Sequence, residues 1–202
     1  MTTYPVRTRR WTREDYHRLD ELGVLPEDER VELLDGQLIV AEPKGAPHAT
    51  IVARTAAVLR RAFGEGWLVR QQDPIALDEA SEPEPDVVVV PGVDVDYFEN
   101  HPARPVLVVE IAETSLYYDR GHKGSAYARA GLPDYWIVDL VDWRIEVYRR
   151  PVSDNSAELG WRYLDVDLFT AGAAIVPLAR PDVSIAVSDI LPETLRPLQE
   201  SL

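Results

Sequence analysis

Two uninterrupted apolar runs constrain this chain more than anything else in it: VVVV at 87–90 and VLVV at 106–109. Neither alternates with polar residues, so each reads as a central strand covered on both faces by helices. Each run also touches a carboxylate. Asp86 opens the first and Glu110 closes the second. Burying an unpaired carboxylate is costly, so two at strand ends call for a compensating cation. A divalent metal supplies one, and a nearby lysine completes a hydrolytic site.

The pattern around these strands predicts an α/β domain. Thr12 with Asp15 resembles a capping box, and Tyr16, Leu19 and Leu22 recur at helical spacing, predicting a helix over 13–22. Asp35-Gly36 between two apolar stretches predicts a type I′ hairpin over 31–40, with Glu32 in its first strand. A second helix is expected over 47–63, with Ile51, Thr55, Val58, Leu59 and Ala62 inward and Gly64 at its end. Residues 67–71 and 74–77 read as strand material, 78–85 as a loop before the strand 86–90, and 91–105 as a loop before 106–111. A helix over 119–130 comes next, stopped by Gly131, and then strands at 135–139 and 144–149.

The stretch 106–139 is thus strand-helix-strand, and its two strands should be parallel. The hairpins on either side should be antiparallel. The expected fold is a mixed β-sheet flanked by helices, with antiparallel additions at the N- and C-terminal ends. One domain over 1–202 is expected, with its core in about 10–150 and peripheral strands, such as 161–168, in 151–202.

Composition limits the partners. The net charge of −14 opposes tight, general binding to nucleic acid, whose phosphates demand lysine and arginine. Any binding surface must be local: Arg7, Arg9, Arg10 and Arg13, or Arg54, Arg60 and Arg61. Cysteine is absent, which removes disulfides and thiolate metal sites. No apolar run reaches the length of a membrane span, and no apolar leader follows the N-terminal arginines, so a cytoplasmic protein is expected. Of 21 basic residues only Lys44 and Lys123 are lysine. A lysine kept among so many arginines suggests a compact point charge that a guanidinium cannot replace.

Phosphodiester hydrolysis needs a hard cation held by oxygen ligands, with room for water and a phosphate oxygen. Asp86 and Glu110 meet that need as metal ligands, with Glu32 as a third carboxylate. Lys123 is placed to stabilise charge developing on phosphate. Each residue alone has an ordinary reading: Asp86 as a turn residue, Glu110 as a loop cap, Lys123 and Glu32 as solvent-facing side chains. Their joint order is what singles them out. Among other polar residues, His48 either caps its helix or touches phosphate, and Gln71 or Gln72 could position water or phosphate. Tyr117 and Tyr118 flank the site loop and could stack on a base. His122, next to Lys123, should face solvent, because adjacent helical positions point about 100° apart. Trp136 belongs with the core.

Several stretches carry a resemblance to a known family. They are Glu32 before the DG hairpin, His48 opening a helix, PEPD at 83–86, VVEIAETS at 108–115, and DRGHKGSAYARAGLPDYWIVD at 119–139. Together they resemble the Uma-type family of restriction-endonuclease-like bacterial proteins, within the PD-(D/E)XK nuclease superfamily. The resemblance covers roughly residues 10–150. It implies a restriction-endonuclease-like fold and dependence on Mg²⁺ or Mn²⁺. It also implies that Asp86 is the PD aspartate, Glu110 the carboxylate of the (D/E)XK element, and Glu32 the early glutamate. The lysine position two residues after Glu110 is Ala112 here, and the resemblance implies that Lys123 stands in for it.

The expected activity is metal-dependent cleavage of a phosphodiester, in DNA rather than RNA, and a homodimer would serve the cutting of two strands. Two other readings remain open at this point. One is a non-catalytic interaction module on a nuclease fold; the other is a metal-dependent hydrolase of small nucleotide or phosphorylated substrates.

Overall fold

In the computed structural model of the chain, which describes residues 8–26, 28–41 and 43–196, both valine-rich runs lie inside one six-stranded sheet. The elements run in chain order: α1 (Arg13–Glu21), β1 (Val31–Leu34), β2 (Gln37–Val40), α2 (Ala46–Phe63), β3 (Trp67–Arg70), β4 (Val87–Pro91) and β5 (Leu107–Ala112). Next come α3 (Leu116–Tyr118), a π-turn (Asp119–Lys123), α4 (Gly124–Arg129), β6 (Asp134–Asp139), β7 (Arg144–Ser153) and β8 (Trp161–Phe169). Two short strands, β9 (Ala174–Ile175) and β10 (Ile185–Ala186), precede α5 (Val187–Ile190).

The main sheet has the order β3-β4-β5-β6-β7-β8. Only β5 and β6 are parallel, joined by the helical run between them; every other neighbouring pair is antiparallel. This is the mixed sheet expected from the sequence, and the tail strand β8 is its outermost member.

The valine runs are apolar throughout because alternate residues enter different cores. Val87, Val89, Val109 and Ile111 pack with Ile51, Leu59 and Phe63 of α2 on one face. Val88, Val90, Val108 and Ala112 pack with Tyr127 and Ala128 of α4 on the other. A period-two strand buried on both sides has no position left for a solvated side chain. Glu110 falls on the α4 face by the same alternation. The register Val87↔Val109 sets Asp86 beside it at the sheet's end.

Several local expectations hold. Thr12 and Asp15 form a reciprocal capping box at α1. Asp35 and Gly36, with φ of 48° and 71°, make the hairpin turn between β1 and β2. Trp136 is fully buried.

Others are corrected. The helical spacing of Tyr16, Leu19 and Leu22 does not bury a face: α1 has no buried residue, and Leu22 is exposed. Polar contacts hold the helix instead, including the Tyr16 hydroxyl donated to Val31 O at 2.7 Å. Residues 74–77 are not a strand. Gln72, with φ of 53°, turns the chain away after β3, and the segment bonds to loops through Ile75 N–H to Pro83 O (3.0 Å) and Ala76 N–H to Pro102 O (2.9 Å). The helix expected at 119 begins at Leu116 and widens into the π-turn before α4.

Candidate active site

The π-turn decides where Lys123 points. Gly124 N–H donates to Asp119 O, five residues back, so this stretch is wider than an α-helix. The Tyr135 hydroxyl also donates to Asp119 O, at 3.0 Å. A side chain at 124 would crowd this junction, because a Cβ there meets Asp119 O at 3.2 Å and the Tyr135 ring at 3.7 Å. Glycine therefore lets the helical run settle onto β6. Lys123 is thereby turned inward, its Nζ 3.1 Å from Glu110 Oε1 and 3.3 Å from Glu32 Oε1. One turn further on, the Tyr127 hydroxyl donates to the same Glu110 oxygen at 2.8 Å.

Asp86 stands at the start of β4, with its own N–H 3.3 Å from Glu110 Oε2. Its two oxygens are divided between different partners. Oδ2 accepts from Ile111 N–H at 2.9 Å and lies 3.0 Å from His48 Nε2. Oδ1 lies 2.6 Å from Lys44 Nζ and 3.4 Å from Gln72 Nε2. An ionised carboxylate only accepts, so His48 Nε2 is the donor to it. His48 Nδ1 and the Tyr118 hydroxyl are buried without a partner among the described residues. Glu32 reaches the site from the hairpin and accepts from Glu84 N–H at 3.0 Å.

Glu32, Asp86, Glu110 and Lys123 therefore converge as the sequence suggested. With Lys44, His48 and Asp119 they line a cavity of about 400 Å³. In the sequence Lys44 stands out only as one of two lysines, and nothing there singles out Tyr127. His48 is a partner of Asp86 and not a cap; the N-cap of α2 is Gly45. His122 stacks on Tyr118 and pairs with Glu158 at 3.2 Å instead of facing solvent freely. Tyr117 is exposed beside a small groove near Ile39 and His122. The N-terminal arginines are engaged by carboxylates: Arg9 with Asp15, Arg10 with Asp35 and Arg13 with Glu82. Arg7 lies outside the described residues. Arg60 is tied to Gln71 Oε1 at 2.8 Å.

The two strand-end carboxylates are electrostatic opposites. Burial pushes Asp86 up, but the His48 hydrogen bond and the Lys44 charge outweigh it and hold the group well below the usual range. Burial raises Glu110 to about 7; Lys123 opposes the shift, and the charges of Asp86 and Asp119 add to it. Lys123 is lowered by burial, yet Glu110, Glu32 and Asp119 more than reverse this and keep it charged. Glu110 is raised even with the Lys123 ammonium beside it, so its surroundings are short of positive charge.

That shortage suits a hard cation, as does a donor set made of carboxylate oxygens. Among the described residues no group of three or more histidines, aspartates and glutamates is spaced to enclose a metal ion. Mg²⁺ does not require such a cage: it commonly takes one or two carboxylates and fills its remaining positions with water and substrate phosphate. Asp86 and Glu110 fit that role, with Glu32 close by.

The raised Glu110 gives a measurable slope. Its folded pKa of about 7 exceeds the unfolded value of 4.5, so the folded chain keeps a proton that the unfolded chain has released. This contribution to stability is present below pH 4.5 and is lost as pH rises through 7, amounting to about 3 kcal/mol in all. Urea denaturation between pH 5 and 8 in the absence of divalent ions should show the decline, and Glu110→Gln should flatten it. An unchanged slope in that variant would assign the titration elsewhere.

The Uma2 family, described as "Putative restriction endonuclease", matches residues 13–190. The chain belongs to the Uma2 family. A crystal structure described as a "putative nuclease belonging to DUF820" from Anabaena variabilis shares the fold, with a TM-score of 0.61 at 17% sequence identity. The match covers 86% of this chain and 96% of that one. No curated protein matches the chain. In this Uma2 chain Ala112 is buried at the position two after Glu110, and the ammonium beside Glu110 comes from Lys123 on the π-turn.

Proposed function

We propose that this pocket hydrolyses phosphodiester bonds in nucleic acid, in DNA rather than RNA, using Mg²⁺ or Mn²⁺ held by Asp86 and Glu110 with assistance from Glu32. One observation carries the reading. Two buried strand-end carboxylates stand side by side at the floor of an open cavity, each with a lysine ammonium against it. Membership of a family described in restriction-endonuclease terms supports it.

The residues divide the work by position. His48 and Ile111 N–H fix the Asp86 carboxylate, and Tyr127 fixes that of Glu110. Lys123 places permanent positive charge beneath the reacting phosphate, where a dry surrounding strengthens its field. When bound, the cation supplies Lewis-acid polarisation of the phosphate and neutralises its charge.

A second reading rests on a specific observation. The described basic residues near the mouth are paired, Arg30 with Glu84 at 2.6 Å among them, and the cavity has the size of a small-ligand site. A nucleotide-sized substrate needs no basic track. The deciding experiment incubates the protein with single-stranded DNA, duplex DNA, RNA and nucleotides, in Mg²⁺, Mn²⁺ or EDTA. Metal-dependent scission of DNA is the expected result. Hydrolysis of nucleotides alone selects the second reading, and no turnover with no metal binding selects an interaction module.

A further inference from the structure

The chain's two lysines both end on the candidate site, one at each strand-end carboxylate. Their surroundings differ. The Lys123 side chain is 9% exposed, with its ammonium between Glu110 and Glu32. Removing it from them would leave two buried carboxylates without a counter-charge, so Lys123 is committed to its place. The Lys44 side chain is 34% exposed. It lies between β2 and α2, lines the cavity, and holds a single carboxylate.

That carboxylate is already divided by its partners. Asp86 Oδ2 is taken by buried groups, Ile111 N–H and His48. Asp86 Oδ1 is left to Lys44 and to the more distant Gln72. Oδ1 is therefore the oxygen open to a cation from the cavity, and the Lys44 ammonium sits on it. A dication and an ammonium cannot share one carboxylate oxygen without strong repulsion. The lysine, on a flexible four-carbon stem, is the partner able to move.

We propose that Lys44 contacts the scissile phosphate: its ammonium rests on Asp86 Oδ1 until a cation takes that oxygen, and then turns to the substrate. This rests on the pocket being a metal-dependent phosphodiesterase site. It gives the two lysines different tasks. Lys123 holds the floor of the site together and acts through its field. Lys44 is the catalytic lysine that touches the substrate, and being one-third exposed it can leave the buried Asp86 once a cation replaces its charge.

The test compares wild type with Lys44→Met by two measurements, Mg²⁺ titration calorimetry without substrate and single-turnover DNA cleavage at saturating Mg²⁺. Thermal melting confirms that both fold. Removing the competing ammonium should tighten Mg²⁺ binding by at least roughly two- to fivefold, the surface-pair scale being a lower bound for a carboxylate that is 1% exposed. Losing a preorganised contact to phosphate should slow cleavage by about a hundredfold. Unchanged or weaker Mg²⁺ binding overturns the proposal, and weaker binding makes Lys44 a brace for Asp86. Tighter binding with undiminished cleavage also overturns it, because the phosphate contact is then absent. Wild type that neither binds Mg²⁺ nor cleaves removes the underlying reading of the pocket. In that case the phosphate contact falls with that reading, and Mg²⁺ binding that appears only in Lys44→Met shows a competing ammonium and no more.

Discussion

Asp86→Asn should lose measurable Mg²⁺ binding and at least about a thousandfold in cleavage rate, the scale of several kcal/mol of transition-state stabilisation. The substitution is chosen to spare the fold. The remaining amide oxygen can still accept from Ile111 N–H and face His48, as Asp86 Oδ2 does. The new NH₂ group then meets Lys44 and Gln72, both donors, and the partly exposed lysine can turn to solvent. The stability cost should stay near that of one hydrogen bond to a charged group, about 1.5–3 kcal/mol. Calorimetry, a cleavage time course and a melting curve on the same preparation separate these effects. Cleavage that survives in a folded Asp86→Asn protein would place the chemistry elsewhere.

Lys123→Met should act mainly on stability. Methionine fills similar space, but it leaves Glu110 and Glu32 facing each other across a buried gap with no cation between them. Removing one partner of a buried ion pair typically costs about 3–5 kcal/mol. The loss should be greatest above pH 7, where Glu110 is ionised, and smaller at pH 5.5, where protonation removes its charge. Urea denaturation at both pH values tests this, and Glu110→Gln combined with Lys123→Met should recover part of the deficit. A loss below about 1 kcal/mol at pH 8 would mean that solvent reaches the pair freely, against the burial of all three side chains.

What could be read from the sequence depended on how local the cause was. The valine runs, the Asp35-Gly36 turn and the Thr12–Asp15 cap are fixed by neighbouring residues, and all three appear in the structure. The β5–helix–β6 crossover also follows a general rule, that strands joined through a helix pair in parallel. The π-turn does not, because one widened turn within a short helical run leaves too few residues for a periodic signal. Contacts made over long separations were the least legible. Lys44 and His48 meet Asp86 across about forty residues, and Pro47 beside His48 pointed to a simpler capping role. The only sequence sign of Lys44 was its rarity. The arginine cluster misled for the same reason: its partners Asp35 and Glu82 are brought up by the hairpin and by the loop before β4.

The π-turn also changes how this protein tolerates a change of length. A uniform helix that loses a residue turns its C-terminal part by about 100°, whereas a wide turn between two stretches holds one residue more than regular pitch needs. Here the first stretch carries Ser115 and Asp119, bonded to each other at 2.6 Å, and the second carries Tyr127, bonded to Glu110. The extra residue is taken up in the turn between them. Deleting one residue from 120–122 should heal the helix into regular pitch with Tyr127 close to its place, because the wide turn absorbs the extra residue, and should remove the widening that sets Lys123 against Glu110. In this segment the number of residues matters as much as their kind.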